Sequence, residues 1–91
     1  MKVNVDKLYT VSYSRKEKPM PLPIAPINHE LKVIKVAGDA RVSKHLASLG
    51  IVEGAMLTLI DSSFNGVVVN VLGSRLALGK DVARNIHVAP R

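Results

Sequence analysis

The sequence contains no cysteine and no tryptophan, and aromatic residues make up only 3% of its 91 residues. The lack of cysteine excludes disulfides, thiolate metal ligands and a thiol nucleophile together. The scarcity of aromatic side chains argues against a groove for proline-rich peptides and against stacking on nucleic-acid bases. Loose contact with phosphates remains compatible with this composition.

Long apolar runs are also missing, although 47% of the residues are hydrophobic and the mean hydropathy is +0.19. No run approaches the roughly 18 apolar residues of a membrane span. The first seven residues alternate and include Asp6, unlike the apolar region of a signal peptide. The chain is too apolar to be disordered and is the size of one domain, so a single cytoplasmic globular domain is expected.

The formal net charge is +6, from 13 basic and 7 acidic residues. This excess permits contact with nucleic acid, an anionic membrane or an acidic protein surface, and it selects none of them. The basic residues are spread out. Their tightest group, residues 15–18, contains Glu17 and is typical of a solvated loop.

A short amphipathic helix is the feature around which the chain is organised. Asp39 can cap its N-terminus, and Val42, Leu46 and Leu49 follow at the i, i+4, i+7 spacing of a face that covers a core. Gly50 comes directly after this stripe, where a helix commonly ends in a residue with positive φ. We therefore predict a glycine-terminated helix packed on a sheet.

Two segments precede the core strands. Residues 3–13 alternate as a strand would, and could close a sheet edge of their own barrel or of a neighbouring copy. Residues 14–26 contain four prolines and predict an extended arm across the barrel, with Leu22 and Ile24 tucked into it. We accordingly divide the chain into an N-terminal extension, 1–21, and a barrel domain, 22–91.

Strand patterns then fill the rest of the chain. Residues 31–37 are rich in β-branched side chains, with a slip in alternation near Val33 that indicates a bulge. Gly54 starts a turn into a second core strand, 55–61. The pair Asn65-Gly66 is the strongest short hairpin signal, with positive φ expected at both residues.

The closing strands complete the predicted fold. Gly73 breaks the run of valines before a strand in which Leu76 and Leu78 point inward, and a helical turn precedes the last strand, 86–88. We predict a mainly β fold, a small SH3-like, partly open barrel with one helix inserted after the first core strand and a one-turn helix before the last. The residues given structural roles are Leu46, Leu49, Gly50, Gly54, Asn65, Gly66, Gly73, Leu76 and Leu78.

The order of these motifs resembles the ferrous iron transport protein A (FeoA) family. The resemblance rests on Leu46-Ala47-Ser48-Leu49-Gly50-Ile51-Val52-Glu53-Gly54, a hairpin, Gly73-Ser74-Arg75-Leu76-Ala77-Leu78, and Ile86-His87-Val88, and spans about residues 22–88. The resemblance implies a non-enzymatic cytoplasmic accessory of the membrane ferrous iron transporter, protein B, which has a GTP-binding domain. Such an accessory could also lie at the inner face of the membrane. Two departures are Glu53, where many relatives have proline, and residues 3–13, which precede the usual start.

The same domain is similar to the C-terminal SH3-like module of iron-dependent repressors. An alternative is therefore a basic small-barrel regulatory or nucleic-acid-binding module. No winged-helix or metal-sensing domain precedes it in this sequence, so the accessory is the closer match, and no specific nucleic acid is expected as a partner. A homo-oligomer formed through the N-terminal strand is a further open alternative.

Sites for chemistry are hard to find in the sequence. The histidines are far apart, no pair has the i, i+4 spacing of a helical metal site, and His29-Glu30 lacks a second histidine, so we expect surface histidines, no metal and no cofactor. The candidates considered are His29, Glu30, Asp39, His45, Asp61 and His87. The run Gly73-Ser74-Arg75 lacks the glycines and lysine of a phosphate-binding loop, and no serine has an evident base, so no catalytic residue is assigned.

The resemblance implies a docking role, and we place the docking surface on the helix and the loop after it. The residues predicted to bind the transporter's GTPase domain are Arg41, Lys44, His45 and Ser48 on the exposed helix side, Val52 and Glu53 in the loop, and Arg75 beside them.

Overall fold

A computed structural model describes residues 18–90 of the chain. In chain order these residues form β1 (Met20–Pro21), a 3-10 turn (Leu22–Ile24), β2 (Glu30–Val36), α1 (Ala40–Ser48), β3 (Met56–Ser63), β4 (Gly66–Val71), β5 (Ser74–Gly79), α2 (Lys80–Ala83) and β6 (Ile86–Pro90). The strands build one antiparallel sheet in the order β1-β6-β2-β3-β4-β5. Because β1 and β5 stay at its ends, the predicted mainly β, partly open architecture with two helices is confirmed.

The core is filled by alternate residues of the strands together with Leu46 of α1, Ala83 of α2 and Leu22 of the 3-10 turn. Val67, Val69 and Val71 all face inward from β4, as period-2 alternation requires. Leu46 of α1 is fully buried, whereas Leu49 and Leu76 are only partly buried against the core. The last strand contributes Ile86 and Val88, as its alternation predicts, and β2 contributes Leu31 and Val33, which we had not assigned to the core.

Helix α1 begins and ends as its sequence predicts. The Asp39 carboxylate accepts a 3.0 Å hydrogen bond from the Val42 N–H, a cap worth about 1 kcal/mol. At the other end, Gly50 has φ +90°, and its N–H donates to the Ala47 carbonyl while the Ile51 N–H donates to the Leu46 carbonyl. This pair of bonds is the Schellman motif, and the burial of Leu46 and Ile51 supplies its apolar contact.

The predicted slip in the first core strand is a bulge. The pairing of β2 with β6 shifts register between Val33 and Lys35. At that point Val33 turns to the loop before β3, donating to the Ala55 carbonyl and accepting from the Gly54 N–H. The bulge therefore connects the sheet to the loop that follows α1.

The two hairpins differ from expectation in their turns. The β3–β4 turn consists of Phe64 and Asn65, and Asn65 does not have positive φ; Gly66 is the first residue of β4. The turn with positive φ at both central residues is instead β4–β5, where Leu72 has φ +53° and Gly73 has φ +81°. The location of the first hairpin was right, and its turn type was wrong.

Gly66 is needed for a reason other than turn geometry. A Cβ on Gly66 would lie 2.2 Å from the Leu78 carbonyl oxygen of the neighbouring strand, so only glycine fits.

The proline-rich arm is partly as expected: Leu22 is fully buried, but Ile24 is 71% exposed because the 3-10 turn directs it outward. The predicted strand 3–13 lies outside the described residues.

Gly66 and Gly79 face each other across β4 and β5 and form a matched test. We expect Gly66→Ala to lower the free energy of unfolding by about 1–3 kcal/mol, because its methyl group meets backbone. Gly79→Ala meets nothing within 4 Å and should change stability by no more than about 0.5 kcal/mol. Chemical denaturation of both variants checks this, and equal losses would contradict it.

Candidate functional site

The exposed side of α1 carries a continuous polar stripe. Arg41, Lys44, His45 and Ser48 are all exposed and follow the i, i+3, i+4, i+7 spacing that places side chains on one face. Leu46 lies on the opposite face and is buried. The structure thus brings the four helix residues predicted to bind a partner into one basic stripe.

Two of these residues also affect the helix itself. The Ser48 hydroxyl donates a 2.6 Å hydrogen bond to the His45 carbonyl, so it satisfies a group at the helix C-terminus. Arg41 lies in the first turn, where the positive end of the helix dipole disfavours a cation. Its charge therefore costs helix stability, which is consistent with a role outside the fold.

The loop after α1 is held firmly against the sheet. The Ala55 N–H donates 3.0 Å to the Val52 carbonyl, closing a turn with Gly54 at its third position and φ +90° there. Gly54 and Val33 are joined by a further 2.7 Å bond. Val52, 45% exposed, and Glu53 consequently project from a fixed turn.

A shallow groove separates the helix from this loop. It has a volume of about 250 Å³, and its lining is mostly apolar. The lining residues are Val36, Ser43, Ala47, Ile51, Val52 and Glu53. Our sequence prediction included only Val52 and Glu53, although the small residues at the i, i+4 positions 43 and 47 were a signal for a close approach beside the stripe.

Arg75 lies on a different element from the other predicted residues. It is exposed on β5, opposite Asn70 of β4, and it does not line the groove. Between Arg75 and α1 lies the β4–β5 turn. In this turn Leu72 packs against Gly50 so closely that a Cβ on Gly50 would lie 2.9 Å from the Leu72 Cδ1.

The metal-binding candidates do not converge. Within residues 18–90 no group of three histidine, aspartate or glutamate side chains could hold a metal ion. His29 and His45 are exposed, whereas His87 is half-buried and its Nδ1 atom is buried without a hydrogen-bond partner. The expectation of surface histidines was wrong for His87, because β6 is an interior strand flanked by Pro21 of β1 and Lys35 of β2.

A second depression lies at the far end of β4. It measures about 300 Å³ and is open, and residues of β3, β4 and β5 line it, among them Asp61, Val68 and Ala77. Beside it the Phe64 ring is 84% exposed and carries the Lys80 Nζ 4.6 Å from its centre, a cation–π contact. This arrangement offers no nucleophile paired with a base.

Among residues 18–90, none of the helices has the length and apolar character needed to cross a bilayer. The sequence profile of the FeoA domain matches residues 20–90. The chain belongs to the FeoA family. This family consists of small accessory domains of ferrous iron uptake and is not a known enzyme family.

Solved structures agree with this assignment. An iron uptake regulatory protein (FeoA) is 26% identical, with a TM-score of 0.74 over 80% of this chain and 99% of that one. The FeoA protein from Chlorobium tepidum is 27% identical, with a TM-score of 0.69 over 78% of this chain and 70% of that one. A manganese-dependent transcriptional repressor, 20% identical, shares the fold with a TM-score of 0.74 over 82% of this chain and 43% of its own. No curated protein matches the sequence.

The turn at Glu53 supports a stability prediction. Glu53 occupies the second position of a turn whose third residue is a positive-φ glycine, and proline is favoured there because it presets φ. We expect Glu53→Pro to raise the free energy of unfolding by about 0.4–1 kcal/mol. Ala55→Pro is the control, since it removes the donor that closes the same turn and should destabilise. A lower melting temperature for Glu53→Pro would contradict the assigned turn.

Proposed function

We propose that this FeoA-family protein is a non-enzymatic cytoplasmic accessory that docks, through α1 and the loop after it, on the GTPase domain of the membrane ferrous iron transporter. The observation that carries the proposal is the FeoA-domain match over residues 20–90. The exposed basic stripe beside an apolar groove supports this choice of surface.

The stripe and the groove would contribute differently to binding. Exposed ion pairs are worth only about 0.2–1 kcal/mol each, so Arg41 and Lys44 serve mainly to orient the partner and speed its association. Desolvation of the groove, including Val52, supplies affinity that salt does not screen. The matching partner surface is an acidic patch around a small apolar projection.

Charge reversal on the helix tests the proposed surface. In the double variant Arg41→Glu, Lys44→Glu we expect affinity for the purified GTPase domain to fall about tenfold or more, measured by calorimetry. Arg41→Glu alone should raise helix stability by about 0.3–1 kcal/mol, because an acid suits the first turn. The melting temperature of the double variant, measured beside its affinity, shows whether lost binding reflects unfolding.

Lys80→Glu is a control for charge. It reverses one positive charge, where the double variant reverses two, and it lies beside Phe64, at the opposite end of β4 from the turn that touches Gly50. Binding should persist in this variant. Equal loss in the control and the double variant would indicate a general charge effect and refute the surface, and no binding by the wild-type protein would refute the function.

The alternative of a basic nucleic-acid-binding module is supported by the fold shared with the manganese-dependent repressor. The two functions respond differently to salt. Affinity for nucleic acid falls steeply as the salt concentration rises, and the slope is proportional to the number of phosphates contacted. Salt-sensitive binding of duplex DNA or RNA, together with no binding to the GTPase domain, would favour the alternative.

We also propose that the N-terminal extension promotes self-association. In the described part of the chain, β5 has a paired neighbour on one side only, and such an edge can accept another strand. Deleting residues 1–19 leaves β1 and the rest of the sheet in place. We expect the deletion to reduce the number of chains per particle, obtained from the mass measured by light scattering, and an unchanged number would contradict this proposal.

A further inference from the structure

Leu72 combines two unfavourable properties. It is the first residue of the two-residue β4–β5 turn and has φ +53°, a left-handed conformation that bulky side chains rarely adopt. Its side chain is also 86% exposed. Asparagine, aspartate or glycine would satisfy the same turn without exposing apolar surface.

The contact that Leu72 makes inside the protein does not account for either property. Leu72 lies against Gly50, and a Cβ at that position would come within 2.9 Å of its Cδ1. The contact covers only a small part of the side chain, since most of it remains in solvent. Strain and exposure without compensating burial mark a position whose role lies outside the fold.

The surroundings of Leu72 show where such a role would act. Gly50 follows the C-terminus of α1, where Ser48 ends the basic stripe, so the turn continues the stripe across the molecule. On the other side stand the exposed side chains of Asn70 and Arg75, which oppose each other on β4 and β5. Glu30 and Thr58 line a small depression together with Leu72. An apolar side chain surrounded by polar and charged groups has the composition of a binding anchor.

Phe64 provides a comparison within the same chain. It is exposed to a similar degree, 84%, at the other hairpin turn. It lacks positive φ, and Lys80 covers one side of its ring. Of these two exposed turn residues, only Leu72 is held in a strained conformation.

We propose that Leu72 is an apolar anchor of the docking surface, inserted into an apolar socket with an acidic rim on the transporter's GTPase domain. The inference rests on the proposed function and deepens it. It also gives Arg75 a place in that surface, because Leu72 joins the helix stripe to Arg75.

Leu72→Asn tests the anchor, because asparagine tolerates the left-handed conformation and removes the apolar side chain. We expect its melting temperature to equal or exceed that of the wild-type protein, while affinity for the GTPase domain falls about tenfold or more. Leu72→Met, which keeps an apolar side chain of similar volume, should bind within about threefold of wild type. Phe64→Asn removes an equally exposed side chain at the opposite turn and should bind as wild type does.

The outcomes separate the possible failures. If the wild-type protein binds and Leu72→Asn binds equally well, the anchor is refuted and the proposed function stands. If Leu72→Asn lowers the melting temperature and affinity together, Leu72 is a packing residue and the anchor is refuted. If the wild-type protein does not bind the GTPase domain, both the proposed function and the anchor fail.

Discussion

Two backbone hydrogen bonds at the end of α1, from Gly50 and Ile51 to the carbonyls of Ala47 and Leu46, hold the molecule's surface features in place. They stop the helix at a point where Leu46 and Ile51 both enter the core. The chain then has to turn sharply and return to the sheet. The orientation of the exposed helix face, the position of the following loop and the space occupied by Leu72 all depend on this closure.

Gly50 illustrates how one residue can satisfy several constraints. Its positive φ allows the helix to end, and its missing side chain leaves room for Leu72. Any other residue would meet both difficulties together. The helix cap and the β4–β5 turn are therefore coupled, although they lie more than twenty residues apart in the chain.

Local rules predicted much of the fold because most of its elements obey them. Asp39 and Gly50 delimit α1, and alternation identifies the buried side of β4. Prediction failed where a distant strand decides the outcome. Gly66 is required by the Leu78 carbonyl across the ladder, and the left-handed turn falls on Leu72, a residue type that no local rule would place there. The groove beside α1 was missed because it forms only when the helix, the loop after it and Val36 of β2 come together.

The two edges of the described sheet are unequal. At one end β1 has only two residues, and one of them, Pro21, has no N–H to donate. At the other end β5 extends for six residues and contains no proline. Within the described residues, the edge at β1 therefore offers fewer backbone groups for the addition of a further strand than the edge at β5 does.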